Sequence, residues 1–151
     1  MRGVRAGLVT LVIACFGLGL ASCGGSKPAS ISSQIRQWSL NAGFPGLDSA
    51  LVADFPAVRA GIDAGNLKAL KTACAGLSID AGSIYDTLVT PDHALSEALA
   101  RALTGIADVG NTCTALRSVT KATTATLRRT LATNEALYRK ERAIVLAADG
   151  T

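Results

Sequence analysis

The stretch LKALKTACAGLSIDAGSIYDTL, residues 67–88, places apolar side chains at Leu67, Leu70, Cys74, Leu77, Ala81, Ile84 and Leu88. The spacings alternate between three and four residues, the period of one face of an α-helix and not of a strand. Thr90-Pro91-Asp92 comes next and reads as an N-cap, a proline at the first helical position and an acid in the first turn. After it the alternation resumes in Leu95, Leu99, Ala102, Ile106, Val109, Cys113 and Leu116. Two neighbouring helices with facing apolar seams are expected, each with one cysteine on its inward side.

Working outward, Leu47, Leu51, Val52, Phe55, Val58 and Ile62 outline a helix over 47–63, which Pro56 is expected to kink or to divide at Asp54. Gly65 marks its end and Asn66 suits the N-cap of the next helix. Further upstream, Ile31, Ile35 and Trp38 predict a short helix over about 30–40, stopped by Asn41-Ala42-Gly43 and Pro45-Gly46. Trp38 reads as a lid on the core, with a place at a membrane interface as the alternative.

Downstream, Thr120, Thr123, Thr124, Thr126, Thr130 and Thr133 are mediocre helix formers and leave the start of the last helix open. Leu127, Leu131, Leu137, Tyr138, Ile144 and Val145 give that helix an apolar side, and Asp149-Gly150 ends it. No alternating β-branched run bounded by tight turns occurs. The expected fold is all-α, an antiparallel bundle of four or five helices forming one domain over 34–149.

At the other end, Arg2 and Arg5 precede an uncharged, mostly apolar run over 6–20 that closes on Leu20-Ala21-Ser22-Cys23. A basic region, an apolar region and small residues are the parts of an export signal, and the tetrapeptide resembles the bacterial lipobox. The resemblance implies cleavage between Ser22 and Cys23, so that 1–22 is a lipoprotein signal peptide. It also implies a diacylglyceryl group on the sulfur of Cys23, the thiolate being the nucleophile that forms the thioether. The implied location is the extracytoplasmic face of the cell membrane. Residues 23–33, dominated by Gly, Ser, Lys, Pro and Ala, then read as a flexible tether.

On the residues alone two alternatives stand beside this reading. An uncleaved anchor helix needs about 20 apolar residues, which 6–26 reaches only by counting glycines and serines at its end. Ordinary secretion would leave Cys23 as an exposed free thiol, a liability outside the cytoplasm. Cys15 follows too short an apolar run to be the lipidated residue.

If Cys15 leaves with the signal and Cys23 carries lipid, Cys74 and Cys113 are the two cysteines left of the four. Outside the cytoplasm they are expected to pair. A plain hairpin about Thr90-Pro91 misses their register by a turn or two, a gap that a loop reaching about Ala94 or skewed helices would close. The span Cys74-x-x-Leu77, Pro91-Asp92, Leu95, Ala98, Ala102-Leu103 and Cys113 is similar to alanine-rich helical domains of exported actinobacterial proteins and lipoproteins of unassigned function. That likeness covers about 47–116. It implies export and a disulfide-tied helical hairpin, and no activity.

The net charge of +4 falls to about +2 once Arg2 and Arg5 leave, which is too mild to argue for nucleic acid. Charge is uneven, however, with seven basic and two acidic residues between 117 and 142. This basic end reads either as a solvated helix face or as a surface for an anionic membrane, an envelope polymer or an envelope protein.

No metal or other cofactor is expected, since Cys74, Cys113 and His93 lack the number and spacing of a ligand set and no glycine-rich phosphate motif occurs. His93 sits at the Pro-Asp turn with no nucleophile elbow to serve, and Asp80 and Asp86 share no helix face. The expected function is that of a lipid-anchored, non-enzymatic binding or interaction module of the cell envelope. The alternative is a carrier with a lipid or other apolar ligand in a pocket of the bundle.

Overall fold

The structure, a computed structural model, describes residues 28–150; the segment 1–22 read as a signal peptide, Cys15, Cys23 and most of the segment read as a tether lie outside the described residues. Five helices occur, α1 (Ile31–Asn41), α2 (Phe44–Asp63), α3 (Leu67–Tyr85), α4 (His93–Thr114) and α5 (Lys121–Asp149), with no strand among the described residues. The all-α expectation holds. α3 and α4 form the central hairpin, α2 lies on α3, α5 lies on α4, and α1 closes the bundle against α5 and α2. No helix among the described residues is long and apolar enough to cross a membrane.

The seam read from 67–88 is the spine of the core. Leu70, Cys74, Leu77, Ala81 and Ile84 are buried, as are Leu95, Leu99, Ala102, Ile106, Val109 and Cys113 across from them. A fully buried Leu side chain contributes about 1.5–3 kcal/mol relative to an exposed one, so these two rows dominate the energetics of the hairpin. Leu88 lies beyond the end of α3 and packs against the core from the connecting segment.

Cys74 and Cys113 form a disulfide, with Cα atoms 6.0 Å apart. Cys74 stands eleven residues before the end of α3, whereas Cys113 stands twenty after the start of α4. The connection 86–92 resolves that mismatch by carrying the chain past the end of α3, so that α4 begins about 13 Å further out than a tight turn would allow. Asp92 consequently borders a depression that it shares with Ile31 and Ile35 of α1 and Ile144 and Ala148 of α5.

The cap also differs from the expected one. Asp92, and not Thr90, caps α4, its carboxylate accepting from the Leu95 N–H at 3.1 Å, and Pro91 remains outside the helix. Thr90 is instead buried. Its hydroxyl donates to the Asp92 carbonyl at 2.6 Å and meets the Ser96 hydroxyl at 2.8 Å, which fixes the end of the connection.

Two corrections concern α2. It starts at Phe44, with Pro45 in the first turn, where the missing N–H would have had no partner. Gly43 at φ +66° makes the sharp entry, and Phe44 is fully buried, packed on Trp38 at 5.5 Å between ring centroids. Pro56 neither divides nor ends the helix. Phe55 and Val58 on either side are fully buried, Phe55 against Tyr138 of α5 with ring centroids 6.5 Å apart, which anchors both halves in the core, and Pro56 is exposed. Trp38 behaves as the expected lid, half-buried and donating its ring N–H to the Thr87 carbonyl at 3.0 Å.

Asn66 caps α3 as expected, and α5 starts at Lys121 behind a Thr120–Thr123 capping box. On α5 the inward residues are Leu127, Leu131, Tyr138 and Val145, while Leu137 and Ile144 are close to half exposed and do not belong to the buried side.

Candidate functional site

The charged side chains that sequence reasoning assigned to a solvated face are in part internal ties. Glu135 of α5 is buried and accepts from Arg59 of α2 and from Arg139 one turn on, the latter at 2.7 and 2.9 Å. Asp48 of α2 is buried too; it accepts from the Tyr138 hydroxyl at 2.8 Å and from Arg142 Nε at 2.5 Å. Burial and the Asp48 charge push the Tyr138 phenol far above its ordinary range, so it donates at every physiological pH. The bond to Asp48 likewise raises the Arg142 guanidinium. These groups neutralise one another at the α2–α5 contact, and with Arg128 paired to Asp63 they engage three of the basic residues of α5.

A second polar pair lies between α2 and α3. Asp54 faces Asp80, and Asp54 Oδ2 is buried without a hydrogen-bond partner. Burial, then the Asp80 charge, then a proton shared with it push the Asp54 carboxyl up to about 6 from 3.8. A carboxyl whose folded pKa exceeds its unfolded one takes up a proton on folding, so its stabilisation is complete below about pH 3.8 and is lost as pH rises through about 6. Asp54→Asn is expected to flatten the decline of Tm between pH 4 and pH 7. It should raise Tm at pH 7.5 by only about 3 °C, since solvent screens this partly exposed pair. Thermal melts followed by circular dichroism across that range check it; an unchanged pH slope in the variant would count against the shared proton.

A groove lies between α4 and the first half of α5, with a volume of about 500 Å³ and a predominantly apolar lining. That volume lies within the roughly 300–1,000 Å³ usual for ligand sites. Val109, Cys113 and Leu127 form its floor, each of them buried in the core, so the disulfide lies directly beneath it. Its α5 wall is built of threonines, among them Thr123, Thr126 and Thr130. The hydroxyls of two of them are occupied by their own helix: Thr123 donates to the Thr120 carbonyl at 3.0 Å, and Thr130 to the Thr126 and Leu127 carbonyls at 3.1 and 3.2 Å. What such residues offer the groove is chiefly methyl, which makes the wall more hydrocarbon-like than its composition suggests.

No protein-family model, no curated protein and no solved structure matches this chain.

The disulfide pair Cys74 and Cys113 is therefore the sequence-derived site that the structure brings together, while the lipidation candidate Cys23 lies outside the described residues. His93 is exposed at the first position of α4, 3.5 Å from Glu97 on the same helix. Among the described residues no group of three or more His, Cys, Asp or Glu side chains is placed to hold a metal ion. Sequence reasoning missed the groove because threonine was weighed as a polar, helix-poor residue. The available signal was the recurrence of Thr123, Thr126 and Thr130 at spacings of three and four, one face of α5.

Proposed function

We propose that this chain is a lipid-anchored lipoprotein of the cell envelope whose helical bundle is a non-enzymatic binding or interaction module. The observation that carries the reading is the buried Cys74–Cys113 disulfide, which belongs in an oxidising compartment and uses both cysteines of the described residues, in keeping with the export-type run that precedes Cys23 in the sequence. Lipid on Cys23 then holds the domain to the extracytoplasmic face of the membrane, with a tether that is shorter than the 23–33 read from the sequence and ends at Ser30, because α1 already begins at Ile31. The non-enzymatic reading is supported by the use of the buried acids: Asp48 and Glu135 are engaged by arginines and a tyrosine as inter-helix ties.

The basic stretch 117–142 is the proposed surface for an anionic envelope polymer, membrane or protein. Because Arg128, Arg139 and Arg142 are tied internally, Arg117, Lys121 and Arg129 are its available charges, each exposed and, among the described residues, without an acid in ion-pair distance. A carrier role is the second reading, favoured by the α4–α5 groove.

Metabolic labelling of the expressing cells with an alkyne fatty acid tests the anchor. The wild-type chain is expected to take up label and to fractionate with membranes, and Cys23→Ala to lose both. Label and membrane retention persisting in Cys23→Ala would refute the anchor.

A further inference from the structure

The α4–α5 groove is predominantly apolar and differs at its two ends. The end toward the 115–120 connection is lined by Leu116 and Ala122, whose immediate chain neighbours Arg117 and Lys121 are exposed and, among the described residues, form no ion pair. The one acid in the lining, Asp108, stands eight residues before Leu116 on α4, about 12 Å away along the helix. An amphiphile with an anionic head thus finds attraction at one end and repulsion further in, and only one orientation satisfies both.

From this charge arrangement we infer that the groove binds one long-chain fatty acid, its alkyl chain along the methyl-lined trough and its carboxylate against Arg117 and Lys121. On α5 the trough extends from Ala122 to Asn134, twelve residues or about 18 Å of helix, the length of an extended chain of about fifteen carbons. Its volume of about 500 Å³ suits one chain, not the two chains and headgroup of a phospholipid. Val109 and Leu127 on the floor supply apolar contact along the middle of the chain. The affinity comes chiefly from removal of the tail from water. Arg117 and Lys121 are exposed, so their contribution is modest and expresses itself as orientation and as preference for a charged head. The inference deepens the binding-module reading and is separable from the anchor: its test is run on Cys23→Ala, in which no covalent acyl chain competes, whereas anchoring is read from membrane retention.

Equilibrium dialysis of radiolabelled palmitate against the full chain carrying Cys23→Ala is the experiment, with hexadecanol as the neutral probe of equal length. Saturable binding of one palmitate per chain is expected, with hexadecanol bound several-fold more weakly. Arg117→Glu with Lys121→Glu should weaken palmitate about tenfold and abolish the preference over hexadecanol. Thr126→Trp, a change at an exposed wall position, should fill the trough and remove saturable binding while the melting curve stays cooperative. The absence of saturable palmitate binding, its persistence in Thr126→Trp, or equal binding of both probes would overturn the proposal. So would association with anionic phospholipid vesicles alone and not with monomeric palmitate, since that result assigns the cations to a membrane surface.

Discussion

Replacing Cys74 and Cys113 together by alanine is expected to lower the stability of the bundle by about 4 kcal/mol, the chain-entropy value for a cross-link closing a loop of this length. The two residues are separated by 39 positions and are both fully buried, so release of the loop in the unfolded state adds to the loss of two core side chains. The expected result in urea is a large drop in the unfolding midpoint. Reduction of the wild type should reproduce most of the drop, and the double alanine variant should not respond to reductant. A loss below about 1 kcal/mol would mean that the unfolded chain is already compact around this hairpin.

Gly110→Ala is expected to be the most damaging single methyl addition, at about 2–3 kcal/mol. A Cβ at Gly110 would stand 2.7 Å from the Cys74 carbonyl oxygen and 2.8 Å from Ser78 Cβ, atoms of the α3 backbone and of its first side-chain carbon that no rotamer change removes. α3 would have to retreat from α4, and the disulfide four residues from Cys74 to Ser78 away holds it in place. The penalty should accordingly shrink when both cysteines are alanine, with a coupling of about 1 kcal/mol in a double-mutant cycle. Equal penalties in the two backgrounds would show that the close approach and the cross-link act independently. Gly61, whose Cβ would stand 2.8 Å from Leu70 Cα, makes the corresponding approach between α2 and α3.

The central hairpin was legible because burial there is a matter of period. Leu70, Cys74, Leu77, Ala81 and Ile84 recur at helical spacing, and every one of them is inside. Caps and breaks carried by local chemistry, such as Asn66 at α3 and Gly150 after α5, were legible for the same reason. Pro45 and Pro56 misled because the helix-breaking tendency of proline is conditional: a first turn tolerates it, and burial of flanking Phe55 and Val58 overrides it. Asp92 displaced Thr90 as cap because the Thr90 hydroxyl is engaged by the Asp92 carbonyl and Ser96.

The polar interior was less accessible. Glu135 and Arg142 fall on the same spacing as Leu127, Leu131, Tyr138 and Val145, so the period does place them on the inward side of α5. Their partners Arg59 and Asp48 lie on α2, more than seventy residues away, and nothing local announces such a pairing. Similarly, Asp80 was weighed against Asp86 on its own helix, whereas the group it faces is Asp54 across the α2–α3 contact. Leu137 and Ile144 show the converse error, apolar residues off the inward row that remain close to half exposed. The groove became visible only once α4 and α5 were placed side by side, since its walls come from two segments and its apolar character from hydroxyls turned back on their own helix.

The account rests on one claim, that a disulfide-clamped helical bundle is displayed from a lipid on Cys23. Intact-mass spectrometry of the protein isolated from the membranes of the cells that make it, before and after reduction, tests that claim in a single measurement. The account expects a chain that begins at Cys23, carries the added mass of acyl groups, and gains two hydrogens on reduction of Cys74–Cys113. An unmodified chain, a chain that retains residues 1–22, or a mass that reduction leaves unchanged would contradict it.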